Sequence, residues 1–234
     1  MKYSNKTWRA CALCMLAALA MTTGCQNKPT ETADSTNAAT DSVVAESPLD
    51  NAVVRAIMDR RSVRKYKPEP VPKEMLDVIL HCGINAPNAM NEQRWEVRVT
   101  ESKAFIDGVT KVFIESAEND ERVQKLVKNP DFHNMFRNAP TVIFVAGKAD
   151  EKSSPIDCGM LGENIMLAAQ SMGLGTCCLG SAAGFLNSNP GAANYLKQLA
   201  FSDGYELLYA IAIGYPDESP EAKPRDASKI RYIE

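Results

Sequence analysis

The run Thr141-Val142-Ile143-Phe144-Val145-Ala146, opened by Pro140, constrains the fold of this chain more than any other segment. It is apolar at nearly every position. A strand with one face in water alternates polar and apolar residues, whereas a strand buried on both faces does not. The run therefore predicts a central strand covered on both sides, and so a layered fold. Its neighbours supply the layers. Apolar residues at 49, 53, 54, 57 and 58 predict a helix over 49–59. A second helix is expected over 72–86, with Pro72 suited to its first turn. Residues 95–99 alternate and read as a strand. Further helices are expected over 102–115, 121–137 and 192–199. The stretch 156–172 is apolar on most sides, which marks a central helix ended by Gly173-Leu174-Gly175. Residues 176–179 and 206–213 read as strands, and Arg231-Tyr232-Ile233 as a terminal strand fragment. Helices and strands do not alternate regularly, so the expected class is α+β.

The first 48 residues stand outside this pattern. Lys2, Lys6 and Arg9 precede an apolar run over 10–21, too short to span a membrane and suited to the core of a signal peptide. The run leads to Thr22-Thr23-Gly24-Cys25, which resembles a bacterial lipoprotein signal with Thr22 in place of the usual Leu. The alternative is an ordinary secretory signal with a chance cysteine. The expectation is a signal peptide over 1–24, with Cys25 as the lipidated first residue of the mature chain. Residues 26–48 are Thr, Ala, Asp, Glu, Ser and Asn with almost no large apolar side chain. They cannot bury enough surface to offset their ordering entropy. Residues 25–48 are expected to form a flexible tether, and 49–234 the folded domain. The implied location is the cell envelope, attached to the membrane by lipid alone and facing the periplasm.

A net charge of −3 gives no reason to expect nucleic acid as a partner. The only histidines are His81 and His133, and no cysteine has metal-ligand spacing with either, so no metal site is expected. Cys82, Cys158, Cys177 and Cys178 read as small buried residues, with a redox role as the alternative. Gly173-x-Gly175 lacks a third glycine and follows a helix, so the dinucleotide fingerprint fails. No protein nucleophile paired with a base is recognisable.

Two cationic clusters and one amide run remain. The clusters are Arg60-Arg61-Ser62-Val63-Arg64-Lys65 and Lys223-Pro224-Arg225. If 60–66 is extended, Arg60, Ser62 and Arg64 share one side, a cradle for phosphate. A solvated basic turn would read the same. Asn88, Asn91 and Gln93 each donate and accept, as a flavin pyrimidine edge requires, although such a run is also simply a loop.

Taken together these segments resemble the FMN-dependent nitroreductase family. The resemblance rests on Arg60-Arg61-Ser62-x-Arg64, Pro87-x-x-x-Asn91-x-Gln93-x-Trp95, Gly173-Leu174-Gly175-Thr176-x-x-Leu179-Gly180, Ile213-Gly214-Tyr215-Pro216 and Lys223-Pro224-Arg225. It runs from about residue 51 to the C-terminus. It implies a three-layer fold, with a central, mainly antiparallel sheet flanked by helices, in an intertwined homodimer with two FMN sites. By resemblance, Arg60, Ser62, Arg64, Lys223 and Arg225 serve the phosphate and ribityl side, and Arg61 lies nearer the pyrimidine. Asn88, Asn91 and Gln93 meet the isoalloxazine and ribityl chain, partly from the other subunit. Gly180 and Ser181 fall where a backbone N–H approaches flavin N5. Asn88 stands for the family's usual Ser, and Arg94 for its usual Pro. The implied activity is reduction of nitroaromatic, quinone-like or related small molecules through the flavin, with no catalytic side chain required. The alternatives are a specialised flavin dehalogenase or dehydrogenase, and a non-catalytic flavin- or ligand-binding lipoprotein. The sequence names no electron donor in place of NAD(P)H, which is scarce outside the cytoplasm.

Overall fold

A computed structural model of the protein describes residues 51–234. The expected signal peptide, Cys25 and the tether lie outside the described residues. The central run becomes strand β2 (Thr141–Lys148), with every residue over 141–147 buried. It pairs antiparallel with β1 (Trp95–Thr100) on one side and β4 (Tyr205–Gly214) on the other. β3 (Gly175–Leu179) pairs antiparallel with β4, giving the order β1-β2-β4-β3.

Alternation sends the two faces of these strands to two cores. Val142, Phe144, Ala210, Ala212, Cys177 and Leu179 pack into one, beneath α3 (Lys103–Ser116), α6 (Gly180–Ser188) and α7 (Ala193–Gln198). Ile143, Val145, Ile211 and Ile213 pack into the other, beneath α2 (Lys73–Ile84) and α5 (Ser154–Ser171). The fold is thus three layers, helices on either side of an antiparallel sheet. α5 supplies Cys158, Leu161, Ile165 and Ala169 to its core. It ends as the glycine predicts, with Gly173 at φ +75° and Leu174 N donating to Ala169 O. α1 (Ala52–Asp59) is capped by Asn51, whose side chain accepts from Val53 N and Val54 N.

Three expectations need correction. The helix expected over 121–137 stops early, as α4 (Glu121–Val127). Pro130 cannot continue it, and the chain turns through 128–138 instead. Arg231-Tyr232-Ile233 forms no strand, and Tyr232 and Ile233 are 93% and 90% exposed. At the β3 edge Ser62 already bridges Thr176, so that position is not open to the C-terminal segment. Cys158 and Cys177 are buried, but Cys82 and Cys178 are exposed. Cys178 alternates with the core residues Cys177 and Leu179 and faces the other way from edge strand β3.

Candidate active site

After α1, the cationic segment lies along the edge of β3. Ser62 bridges Thr176, and Val63 N donates to Thr176 O at 2.9 Å. Tyr66 bridges Pro216, and Lys67 N donates to Tyr215 O at 2.9 Å. The segment is pinned by two buried apolar side chains, Val63 and Tyr66, rather than by strict alternation. Gly175 permits this approach. A Cβ there would lie 2.8 Å from Val63 Cβ.

The cations are dispersed by this geometry. Arg61 Nη1 folds back to donate to Met58 O at 2.6 Å and Arg60 O at 2.9 Å, so it caps the end of α1. Arg60 turns toward α5, with Nε 3.9 Å from the Glu163 carboxylate. Arg64 is exposed and stays with Ser62, donating from Nη1 to Ser62 O at 2.9 Å. Its backbone N donates to Glu218 Oε1 at 2.5 Å.

A cleft of about 620 Å³ opens beside Arg64, within the range of small-molecule sites. Lys65, Tyr66 and Asp217 continue the wall of Arg64, and Ser181 of α6 and Phe113 of α3 face it. The first turn of α6 has no side-chain cap, and a Cβ on Gly180 would meet nothing within 4 Å. That turn is open to a ligand that accepts hydrogen bonds from its N–H groups. Burial pushes the Tyr66 hydroxyl and the Cys177 thiol up, while Arg64 and Arg137 oppose the shift at both. Two guanidinium fields therefore overlap in this part of the molecule.

The remaining wall is the turn over 129–138. Asn138 Oδ1 accepts from His133 N and Asn134 N at 2.8 and 2.9 Å. Asn134 Oδ1 accepts from Phe136 N and Asn138 N at 2.9 and 3.0 Å. These two amides hold Arg137 and Asn138 at φ +62° each. Asn tolerates that region, but for an arginine it costs about 1–2 kcal/mol. Arg137 lines the cleft, and sequence reasoning missed it by extending α4 through it. Pro130 and the pair Asn134 and Asn138 were the signals available.

The amide run sits elsewhere. Asn88 Oδ1 accepts from Gln93 N at 2.9 Å, and Gln93 Nε2 donates to Asn91 O at 3.4 Å. Met90, Asn91 and Gln93 all have φ between +50° and +56°. Ala89 N donates to Asp157 Oδ1 at 3.2 Å, while Oδ2 of that buried carboxylate has no partner among the described residues. Arg94 fastens the loop to the start of α5. It pairs with Glu92 and, at 3.1 Å each, with Glu151 and Ser153 Oγ. An ion-pair network thus does here what a rigid proline would do.

The strand registers locate the two halves. Trp95, at the end of the amide loop, pairs Gly147, which pairs Glu206. Ser62 bridges Thr176, which pairs Ile213, at the other edge and the other end of the sheet. From strand rise and spacing the two corners lie roughly 25–30 Å apart. Lys223 and Arg225 are exposed on the C-terminal arm, with Arg225 Nη1 donating to Lys223 O at 3.2 Å. One chain therefore brings Arg64 and Ser181 into the lining of one cleft, with Ser62 and Gly180 beside them in sequence but outside that lining, as are Arg60 and Arg61. It leaves Asn88, Asn91, Gln93, Lys223 and Arg225 outside the lining of that cleft.

Comparison with known proteins gives a family model, Nitroreductase family, matching residues 57–215. A relative from Methanothermobacter thermautotrophicus, named for NADH dehydrogenase and NAD(P)H nitroreductase activity, is 31% identical over 173 residues. That match covers 72% of this chain and 79% of the relative. The NADPH-flavin oxidoreductase of Vibrio harveyi is 28% identical, with 75% of this chain and 70% of that one covered. Among solved structures, a Desulfitobacterium hafniense nitroreductase with bound FMN superposes with a TM-score of 0.70 at 26% identity. It covers 79% of this chain and 99% of its own.

Proposed function

This chain belongs to the nitroreductase family, and from that premise we propose that it works as a lipid-anchored homodimer reducing nitroaromatic, quinone-like or related small molecules. At the level of the family it is an oxidoreductase that uses FMN. The observation that carries the reading is the cleft that joins Arg64 to the open first turn of α6. A phosphate needs a guanidinium, which Arg64 supplies at the cleft wall, with the hydroxyl of Ser62 two residues away on the same segment. A flavin ring edge needs N–H donors, which the first turn of α6 at Gly180 and Ser181 offers. The residues present fit the group.

The bound flavin supplies hydride or electron transfer at N5. The chain's own residues bind and orient. Arg64 and Ser62 hold the phosphate end. The N–H groups of Gly180 and Ser181 fix the ring edge. The turn over 129–138 walls the far side of the cleft and limits access of water. No side chain has to act as nucleophile.

The split of the site supports the dimer. Asn88, Asn91 and Gln93 lie too far from Ser62 in one chain to touch the same mononucleotide. A second copy brings its amide loop to the cationic segment of the first. Met90, 87% exposed at the tip of that loop, and Tyr232 and Ile233 on the arm are apolar side chains that such a partner would cover.

The test is spectroscopic. The mature protein is expected to purify yellow with about one FMN per subunit. Anaerobic addition of NAD(P)H, of quinols and of low-potential electron-carrier proteins identifies the class that bleaches the flavin, and a nitroaromatic or quinone then restores its colour. Colourless protein that takes up no added FMN refutes the enzyme reading. Bound flavin that no donor reduces points to a flavin-binding lipoprotein instead.

A further inference from the structure

We propose that Arg137 is a specificity-determining residue, which anchors the carboxylate of an aromatic substrate in the cleft beside Arg64. The proposal rests on reading that cleft as the flavin and substrate site. Arg137 lines the cleft and forms no ion pair among the described residues. Its backbone is not left to a free loop. Asn134 and Asn138 together accept from four backbone N–H groups and hold Arg137 in the left-handed region. Backbone strain of this kind persists where the surrounding structure over-determines it, and it clusters at ligand clamps.

The two guanidinium groups of the cleft differ in commitment. Arg64 donates to Ser62 O and sits on the phosphate side. Arg137 has no such engagement, yet its field reaches the same Tyr66 and Cys177. An uncommitted guanidinium is a fork for a planar oxyanion, bound through two parallel hydrogen bonds. Phe113 and Phe132 line the same space and suit an aromatic ring. Lys65 lines it too, and Asp131 and Asp217 offset that cation and limit the negative charge the cleft tolerates. A ring bearing a single carboxylate fits that balance.

The experiment compares two substrates that differ in one charge, 4-nitrobenzoate and its methyl ester, on the FMN-loaded enzyme. In Arg137→Ala, kcat/KM for the acid is expected to fall about 10–100-fold relative to that for the ester, the range of one lost charge-assisted contact. Arg137→Lys keeps the charge but not the fork, and should recover only part of the loss. FMN content and the melting temperature of each variant report on folding. Calorimetric titration with benzoate, which cannot be reduced, reads binding without turnover, and its affinity should fall by the same factor. Equal losses for acid and ester, no change in either, or no benzoate binding to the parent protein would overturn the proposal. If the parent reduces neither substrate but benzoate binding still depends on Arg137, the proposed activity fails and the anion site stands.

Discussion

Replacing Gly175 by alanine tests how the cationic segment is held against the sheet. The added Cβ would lie 2.8 Å from Val63 Cβ, 2.8 Å from Cγ2 and 2.9 Å from Cγ1. Cβ atoms do not approach so closely, and Val63 cannot swing away because it is buried at 6% exposure. The segment must lift, which strains the bond from Val63 N to Thr176 O. Overpacking of this kind costs about 1–3 kcal/mol. Val63→Ala alone loses two buried methyl groups and should cost about 1.5–2.5 kcal/mol. Combined with Gly175→Ala it removes two of the three clashes, so the double variant should be more stable than the sum of losses by about 1 kcal/mol. Urea unfolding at one fixed protein concentration measures all four corners of the cycle. Gly175→Ala should also weaken FMN binding, because Ser62 and Arg64 move with the segment. Strict additivity, within about 0.5 kcal/mol, would refute the packing argument.

Arg64→Ala is expected to weaken FMN binding about tenfold or more, while riboflavin, which lacks the phosphate, binds nearly as before; equal losses for both flavins would assign this arginine to the fold. Glu96 is pushed up by burial, but hydrogen bonds from Ser202 and Arg98 outweigh this and hold its carboxyl below the usual range. Its contribution is therefore complete above the ordinary glutamate pKa and lost as pH falls through the lowered one, so Glu96→Gln should flatten the acid side of a stability-against-pH curve below about pH 4.5. Cys25→Ala is expected to abolish incorporation of labelled fatty acid and leave the protein soluble; label on the variant, or none on the parent, would remove the lipid anchor.

What was legible in the sequence was what local chemistry decides. The apolar run at 141–146, the amphipathic stripe of α2 and the glycine after α5 each carry their structure in composition and period, and each formed as read. α6 did not show itself, because Gly180-Ser181-Ala182-Ala183-Gly184 has neither strong propensity nor a clear stripe. Its helix depends on burying Ala182, Ala183 and Leu186 against the sheet, a long-range cause. The types of residue suited to a flavin were readable; their positions were not. Val63 and Tyr66, three apart, override the alternation expected of 60–66, and Arg61 goes to the end of α1 instead. Arg137 escaped because its conformation is imposed by two amides at 134 and 138.

The distance between the two corners of the sheet has a genetic signature. On the proposed dimer each site takes its cations from one subunit and its amides from the other. A chain that has lost its whole cationic half and a chain that has lost its whole amide half are each inactive alone. Mixed together they exchange halves, and one of the two sites in every hybrid dimer receives both intact parts. With random pairing about a quarter of all sites recover, from two proteins that each had none.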